Sequence, residues 1–430
     1  MKTIVRKASI GFFISALFFL VLEGILWGFA LLQDKDWRVD PLPKHPTYQV
    51  LCEFGDMLTL CPDQGMDYER VHPEIFFAEP KSKRVIAIGE SFVYGLGLEK
   101  EQSWPAQMQA FLGADVEILN LARCGTYASR LIPIVEAAIE LKPDAIVLSV
   151  GNNEHTMTSF YSGRAGRYPL LSYRLSSWMG GLQFYGVLLR SLVGAQVRVT
   201  ESFTETPDEF EREEDRLAYA ARRRPPNLSV FPNSIASRSV TQILEEEQRL
   251  KEMIFRQHLQ EMIELIKAAK IEIVLTTLPR DLLVPPTLSG IHSEDEQLVL
   301  QLVQKLQERS PHNKAEHLFS GLEIDDRVSL FLYEAAMMHK NNGDLPEAIQ
   351  WIEASTSWDL IPDSTPEINQ IIRDIAKKEE IPLVDLDRYA QKYFLQPSDI
   401  FLDKVHVNQR GANEIAELVS ADIRRIWEKE

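Results

Sequence analysis

From Arg84 onward the hydrophobic positions fall into two alternating patterns. Short continuous apolar runs read as buried strands: RVIAIG (Arg84–Gly89), VEILNLA (Val116–Ala122), AIVLSVG (Ala145–Gly151), IEIVLTTLP (Ile271–Pro279) and IPLVDLD (Ile381–Asp387). Between them, apolar residues recur every three or four positions in SWPAQMQAFL, SRLIPIVEAAIELK and EEEQRLKEMIFRQHLQEMIELIKAAK, and again in the closing GANEIAELVSADIRRIWEK, which predicts helices. Strands alternating with helices predict a parallel sheet wrapped by helices.

Three regions break that rhythm. The apolar run from Ala8 to Leu32 has Glu23 as its only ionisable group and exceeds the roughly 20 residues needed to cross a bilayer. An uncleaved anchor is preferred to a cleaved signal peptide, although Gly28, Phe29 and Ala30 make a weak small-x-small site, because the run continues through that site. Lys2, Arg6 and Lys7 then keep the N-terminus in the cytoplasm and place the rest of the chain outside. Glu23 is expected to snorkel or be protonated, the alternative being a mark of a partner helix. The expected division is a stub and anchor at 1–34, a lead segment at 35–80 and a main domain at 81–430.

That domain carries two insertions. Residues 155–239 include LSSWMGGLQFYGVLLRSLVG (Leu175–Gly194), the acidic ESFTETPDEFEREED and RRRPP, and are expected to form a cap with a disordered middle; contact of the apolar part with a membrane surface is the other reading. Residues 281–365 contain LYEAAMMHKNNGDLPEAIQWIEASTSWD, which resembles one tetratricopeptide-type hairpin. A single hairpin cannot bury its own face, so it is expected to be a helical lid on the main domain, with a docking surface for an envelope protein as the alternative.

At 430 residues and a formal charge of −17, the chain lacks the basic footprint that phosphate neutralisation requires, so nucleic acid is not an expected partner. Its three cysteines include Cys52 and Cys61, near enough in sequence to close a small loop, though spacing does not fix geometry. No C-x-x-C motif or His/Cys cluster points to a metal, and no cofactor is called for.

Ligands of open parallel sheets bind beyond the carboxyl ends of the strands. There the chain places Gly89-Glu90-Ser91, then Arg123-Cys124-Gly125, then Gly151-Asn152-Asn153-Glu154, and finally FLDKVHVNQRG before the last helix. Ser91 is the candidate nucleophile, His406 its general base and Asp403 the group that orients the imidazole. The backbone N–H groups of Ser91 and Gly125 and the side-chain amide of Asn153 are the candidate oxyanion-hole donors. Each motif alone is common by chance.

Together, IGESFVYG, LNLARCGTYAS, LSVGNNEH and FLDKVHVN resemble the four blocks of the SGNH or GDSL hydrolase superfamily, and the likeness spans roughly Lys83 to the C-terminus. The resemblance implies a flavodoxin-like three-layer α/β/α sandwich with a central parallel five-stranded sheet. It also implies ester hydrolysis or acyl transfer through an acyl-serine. Glu90 and Glu154 stand where the family more often has Asp, which leaves the triad intact. The expected protein is thus a membrane-anchored, extracytoplasmic serine esterase or O-acyltransferase, in a bacterial periplasm, acting on an acylated envelope molecule such as a polysaccharide. A lipid acyl esterase and a non-catalytic envelope scaffold using the helical insertion are the alternatives.

Overall fold

The computed structural model describes residues 17–29, 50–54, 57–61, 75–77, 83–154, 179, 182–184, 187, 240–286, 327–357, 365–395 and 399–428. The acidic stretch 201–215, RRRPP and all of 287–326 therefore lie outside the described residues. Two compact units are present: 1–44 with 165–209, and 45–164 with 210–430.

The larger unit is built on five parallel strands, β4 (Lys83–Gly89), β5 (Val116–Asn120), β6 (Ala145–Ser149), β7 (Glu272–Thr276) and β8 (Leu383–Val384), in the order β5-β4-β6-β7-β8. All five come from the continuous apolar runs of the sequence. β6 is buried along its whole length and β4 everywhere but its first residue, as strands covered on both faces must be. The covering helices are α3 (Trp104–Leu112), α4 (Ala128–Glu140), α5 (Val240–Ala268), α8 (Pro366–Lys378) and α10 (Gln409–Trp427). α3 packs on α10, while α4 and α8 pack on α5, and Val85, Ile86, Val147, Phe255, Ile372 and Val419 share one core. The strand order reverses between β4 and β6, the position beyond whose strand ends ligands of open parallel sheets bind.

The lead segment holds a feature that its sequence did not announce. β1 (Leu51–Phe54), β2 (Met57–Leu60) and β3 (Ile75–Phe77) form an antiparallel sheet, and a Cys52–Cys61 disulfide with Cα atoms 5.1 Å apart joins its first two strands. These strands are three or four residues long, too short for alternation to stand out. The buried Arg123 donates from Nη2 to the Cys61 carbonyl, 3.4 Å away, and so ties this sheet to the loop after β5.

The second insertion contributes α6 (Arg327–Asn341) and α7 (Leu345–Ser357), an antiparallel pair. Ala335, Ala336, Ala348, Trp351 and Ile352 close around Leu282 from the loop after β7 and Phe394 from α9 (Leu386–Leu395). Tyr333 also donates its hydroxyl to the Leu283 carbonyl at 2.6 Å. The small-residue face is therefore covered by the chain's own main domain.

In the smaller unit, α1 (17–29) is the described part of the apolar run. Among the described residues no helix is long and apolar enough to cross a membrane; the proposed flanks of α1, 8–16 and 30–32, are not among them. The insertion was expected to form a cap with a disordered middle, with contact of its apolar part with a membrane surface as the other reading; residues 165–209 group with 1–44. Glu23, expected to reach solvent or take up a proton, instead accepts hydrogen bonds from the backbone N–H groups of Gln183 and Phe184 at 2.6 and 2.8 Å.

Candidate active site

β4 delivers Ser91 through a turn that only glycine permits at position 89. A Cβ there would meet the Ser149 carbonyl oxygen and the Val93 side chain, each at 2.3 Å. Glycine thus lets β4, β6 and the short helix α2 (Ser91–Tyr94) converge, which accounts for a lone serine at the end of a buried strand. Asn120, at the end of β5, donates from its amide to the Val93 carbonyl at 2.9 Å while its Oδ1 accepts from the Ala122 N–H at 3.1 Å. One buried side chain so links the nucleophile helix to the next strand end.

His406 and Asp403 arrive from the far end of the sequence. His406 Nε2 lies 2.8 Å from Ser91 Oγ, and its Nδ1 lies 2.7 Å from Asp403 Oδ2. The other Asp403 oxygen accepts the N–H groups of Val405 and His406 at 2.9 and 2.8 Å. The loop is closed by a bridge between Phe401 and Val407, and Asn408 then caps α10 by accepting from Gly411 N. Burial would raise the Asp403 carboxyl, but the hydrogen bond from His406, its charge and the two N–H donors hold it down at about 2. A proton on Nδ1, donated to that carboxylate, leaves the neutral imidazole with its Nε2 lone pair towards the serine. Phe92, Leu96, Leu98, Trp104 and Val407 line a small apolar hollow beside the imidazole.

The third strand end is held by a carboxylate rather than by backbone alone. Glu90, buried beside Ser91, accepts from the N–H of Gly151 at 2.7 Å and from both the N–H and the side-chain amide of Asn153 at 3.0 Å. One amide hydrogen of Asn153 is thereby committed, leaving its second hydrogen for another acceptor. Burial first, then the charge of Glu154, pushes the Glu90 carboxyl well above its usual range, against the pull of the Gly151, Asn152 and Asn153 N–H groups. Burial also raises Glu154, to about 7, with the Ala128 N–H and the charge of Lys251 pulling the other way. Glu154 accepts that N–H at 2.8 Å, at the start of α4.

Of the residues expected from sequence, Ser91, His406 and Asp403 are joined in one hydrogen-bonded chain. Gly125 and Asn153 stand on the loops after β5 and β6, next to the strand that carries Ser91. Gly125 is exposed with φ at 72°, a conformation natural to glycine. Sequence reasoning missed the positioning parts played by Asn120 and Glu90. Glu90 was noted only as a departure from the family's Asp; its place immediately before the serine in a buried run was the available signal. Also missed was the Asp281 N–H, which donates to the Lys404 carbonyl at 2.8 Å and braces the histidine loop from the β7 end.

No family model and no curated protein sequence matches this chain. Among solved structures the chain is similar to an acetyl xylan esterase, at 13% identity and a TM-score of 0.34, covering 79% of this chain and 99% of that one. It is similar to a member of the lipolytic protein G-D-S-L family from Veillonella parvula, at 11% identity and a TM-score of 0.34, covering 79% and 96%. A lipase/acylhydrolase from Enterococcus faecalis aligns at 11% identity and a TM-score of 0.34, covering 79% and 95%. At that identity and TM-score these are likenesses and no more, and the chemistry rests on the geometry of this chain's own site.

Proposed function

We propose that this protein is a serine hydrolase that cleaves carboxylic esters through an acyl-serine. The observation that carries the reading is the unbroken relay from Asp403 through His406 to Ser91, with contacts of 2.7 and 2.8 Å. Ser91 Oγ attacks the acyl carbon while its proton passes to His406 Nε2, and the carbonyl π electrons move onto oxygen. The Ser91 and Gly125 N–H groups and the free amide hydrogen of Asn153 are the donors offered to that oxyanion. Its collapse expels the alcohol, which leaves with the proton from the imidazolium. Water, deprotonated by His406, then attacks the acyl-serine and releases the acid. A carbohydrate hydroxyl in the place of water would make the same protein an O-acyltransferase.

The substrate class we assign first is an acylated polysaccharide of the cell envelope. Ser91 itself is 8% exposed, while Gly125 and Asp403 of the same site are exposed, which supports an ester presented on a larger molecule. The apolar run from Ala8 to Leu32 with basic residues before it supports a membrane anchor and an extracytoplasmic catalytic unit. The Cys52–Cys61 disulfide fits an oxidising compartment. Hydrolysis of short acyl esters and of acetylated polysaccharide should fall by about four orders of magnitude or more in Ser91→Ala. Retained activity in that variant would sink the mechanism, and product analysis with an added polysaccharide acceptor separates hydrolysis from transfer.

A further inference from the structure

The smaller unit combines a carboxylate inside an apolar helix with an apolar surface facing outward. On α1, Leu22, Glu23 and Leu26 are half-buried and fall in one stripe on one side of the helix at three- and four-residue spacing; Phe19, on the same side but exposed, meets the Phe184 ring with centroids 5.3 Å apart. Leu17, Phe18, Leu20, Val21, Ile25, Trp27 and Phe29 are exposed as well, Phe18 by 62% and Leu20 by 71%. At about 100° per residue they spread over about half the helix circumference, facing away from the stripe. Soluble surfaces seldom leave so continuous an apolar face open.

Glu23 reads the other side. Its two carboxylate oxygens accept the N–H groups of Gln183 and Phe184, where helical backbone begins after Leu182. The first N–H groups of any helix lack an intrahelical acceptor, and in hydrocarbon no water replaces it. A carboxylate alone in hydrocarbon is costly too. The contact satisfies both needs at once, and Leu182, the residue before Gln183, is itself apolar and 40% exposed.

We infer that the backbone at 182–184 enters the bilayer with α1, that Glu23 is the polar clamp holding it there, and that the occupant of the open face is lipid hydrocarbon. A protein partner would be expected to cover a single stripe. Here the stripe is already engaged by the chain itself at Glu23 and Phe19, and what remains open is a broad apolar arc inside a run whose only ionisable group is Glu23. The inference rests on the membrane-anchor part of the proposed function.

The test uses the full chain in vesicles of phosphatidylcholine and phosphatidylglycerol. An environment-sensitive fluorophore is placed on Val21→Cys, Leu182→Cys or Glu140→Cys, and nitroxide-labelled acyl chains serve as quencher. Probes at 21 and 182 should be quenched and the probe at 140 should not. Adding Glu23→Leu should leave quenching at 21 intact and remove most of it at 182, while hydrolysis of a small soluble ester continues as the sign of a folded catalytic unit. Quenching at 21 without quenching at 182 would overturn the inference and spare the anchor. Absence of quenching at both would overturn the two together, and quenching at 182 that ignores Glu23→Leu would overturn the clamp.

Discussion

Ser91 and His406 meet at 2.8 Å, yet they are held there by opposite means. Ser91 is set by the core of the sheet: Gly89 lets the strand approach the Ser149 carbonyl, Asn120 fixes the nucleophile helix, and Glu90 draws the β6 loop in from beneath. His406 is set by a short exposed loop whose bonds close mostly on themselves, through Asp403 to its own neighbours and through the Phe401–Val407 bridge, with the Asp281 N–H as a brace from outside. The nucleophile side is thus a matter of folding and the acid–base side a matter of local geometry. Substitutions on the two sides should fail differently, and that difference can be pressed in four places.

The largest effect belongs to the exposed loop. Asp403→Asn keeps the shape but lets the side chain offer an N–H where an acceptor is needed, favouring the wrong imidazole tautomer; kcat should fall by about three to four orders of magnitude while thermal stability stays nearly unchanged. Steady-state kinetics beside a melting curve checks both halves. Next is Asn153→Ala, which removes a donor and should lower kcat by about a hundred- to a thousandfold with little change in KM. A KM effect as large as the kcat effect would mean that Asn153 binds the ground state instead.

Glu90→Gln comes third. An amide cannot accept all three N–H donors that Glu90 now holds, so the β6 loop shifts and Asn153 with it; kcat should drop by up to about a hundredfold. Unlike Asp403→Asn, this variant should also lose melting temperature, and Glu90→Asp should recover part of the rate if positioning is the cause. The smallest effect is on stability alone. Burial holds the His258 imidazole down at about 4, whereas in the unfolded chain it titrates near 6.5. Below pH 6.5 the unfolded state therefore takes up the proton first, and stability is lost as pH falls from 6.5 to 4, by up to about 3 kcal/mol from this group. Glu154, raised to about 7, works in the other direction, gaining stability as pH falls from 7 towards 4.5. Comparing denaturant midpoints at pH 7 and pH 5 in His258→Gln and the parent isolates the histidine part: the variant should show less loss on acidification.

The same contrast explains what was legible in the sequence. The five strands announced themselves because strands buried on both faces are continuous apolar runs, and Ser91, Gly125 and Asn153 could be found by inspecting the residues just beyond the carboxyl end of each run. Asp403 and His406 were legible as a pair because their contacts span three residues. What stayed hidden depends on contacts across the fold. Nothing local distinguishes Asn120 as the link to Val93, and Glu90 gains its meaning only when β6 is beside β4. The antiparallel sheet of 51–77 is made of strands too short to show a period, and Glu23 could not be paired with residues 183 and 184, 160 and more positions away, from its own neighbourhood.

The central claim is that Ser91 is an activated nucleophile. Incubating the full chain with a fluorophosphonate, and locating any adduct by peptide mass spectrometry, tests it most directly. The account predicts one adduct, on Ser91, formed rapidly by the parent, greatly slowed in His406→Gln and absent in Ser91→Ala. A folded parent that stays unlabelled, or one labelled at another residue, would contradict it.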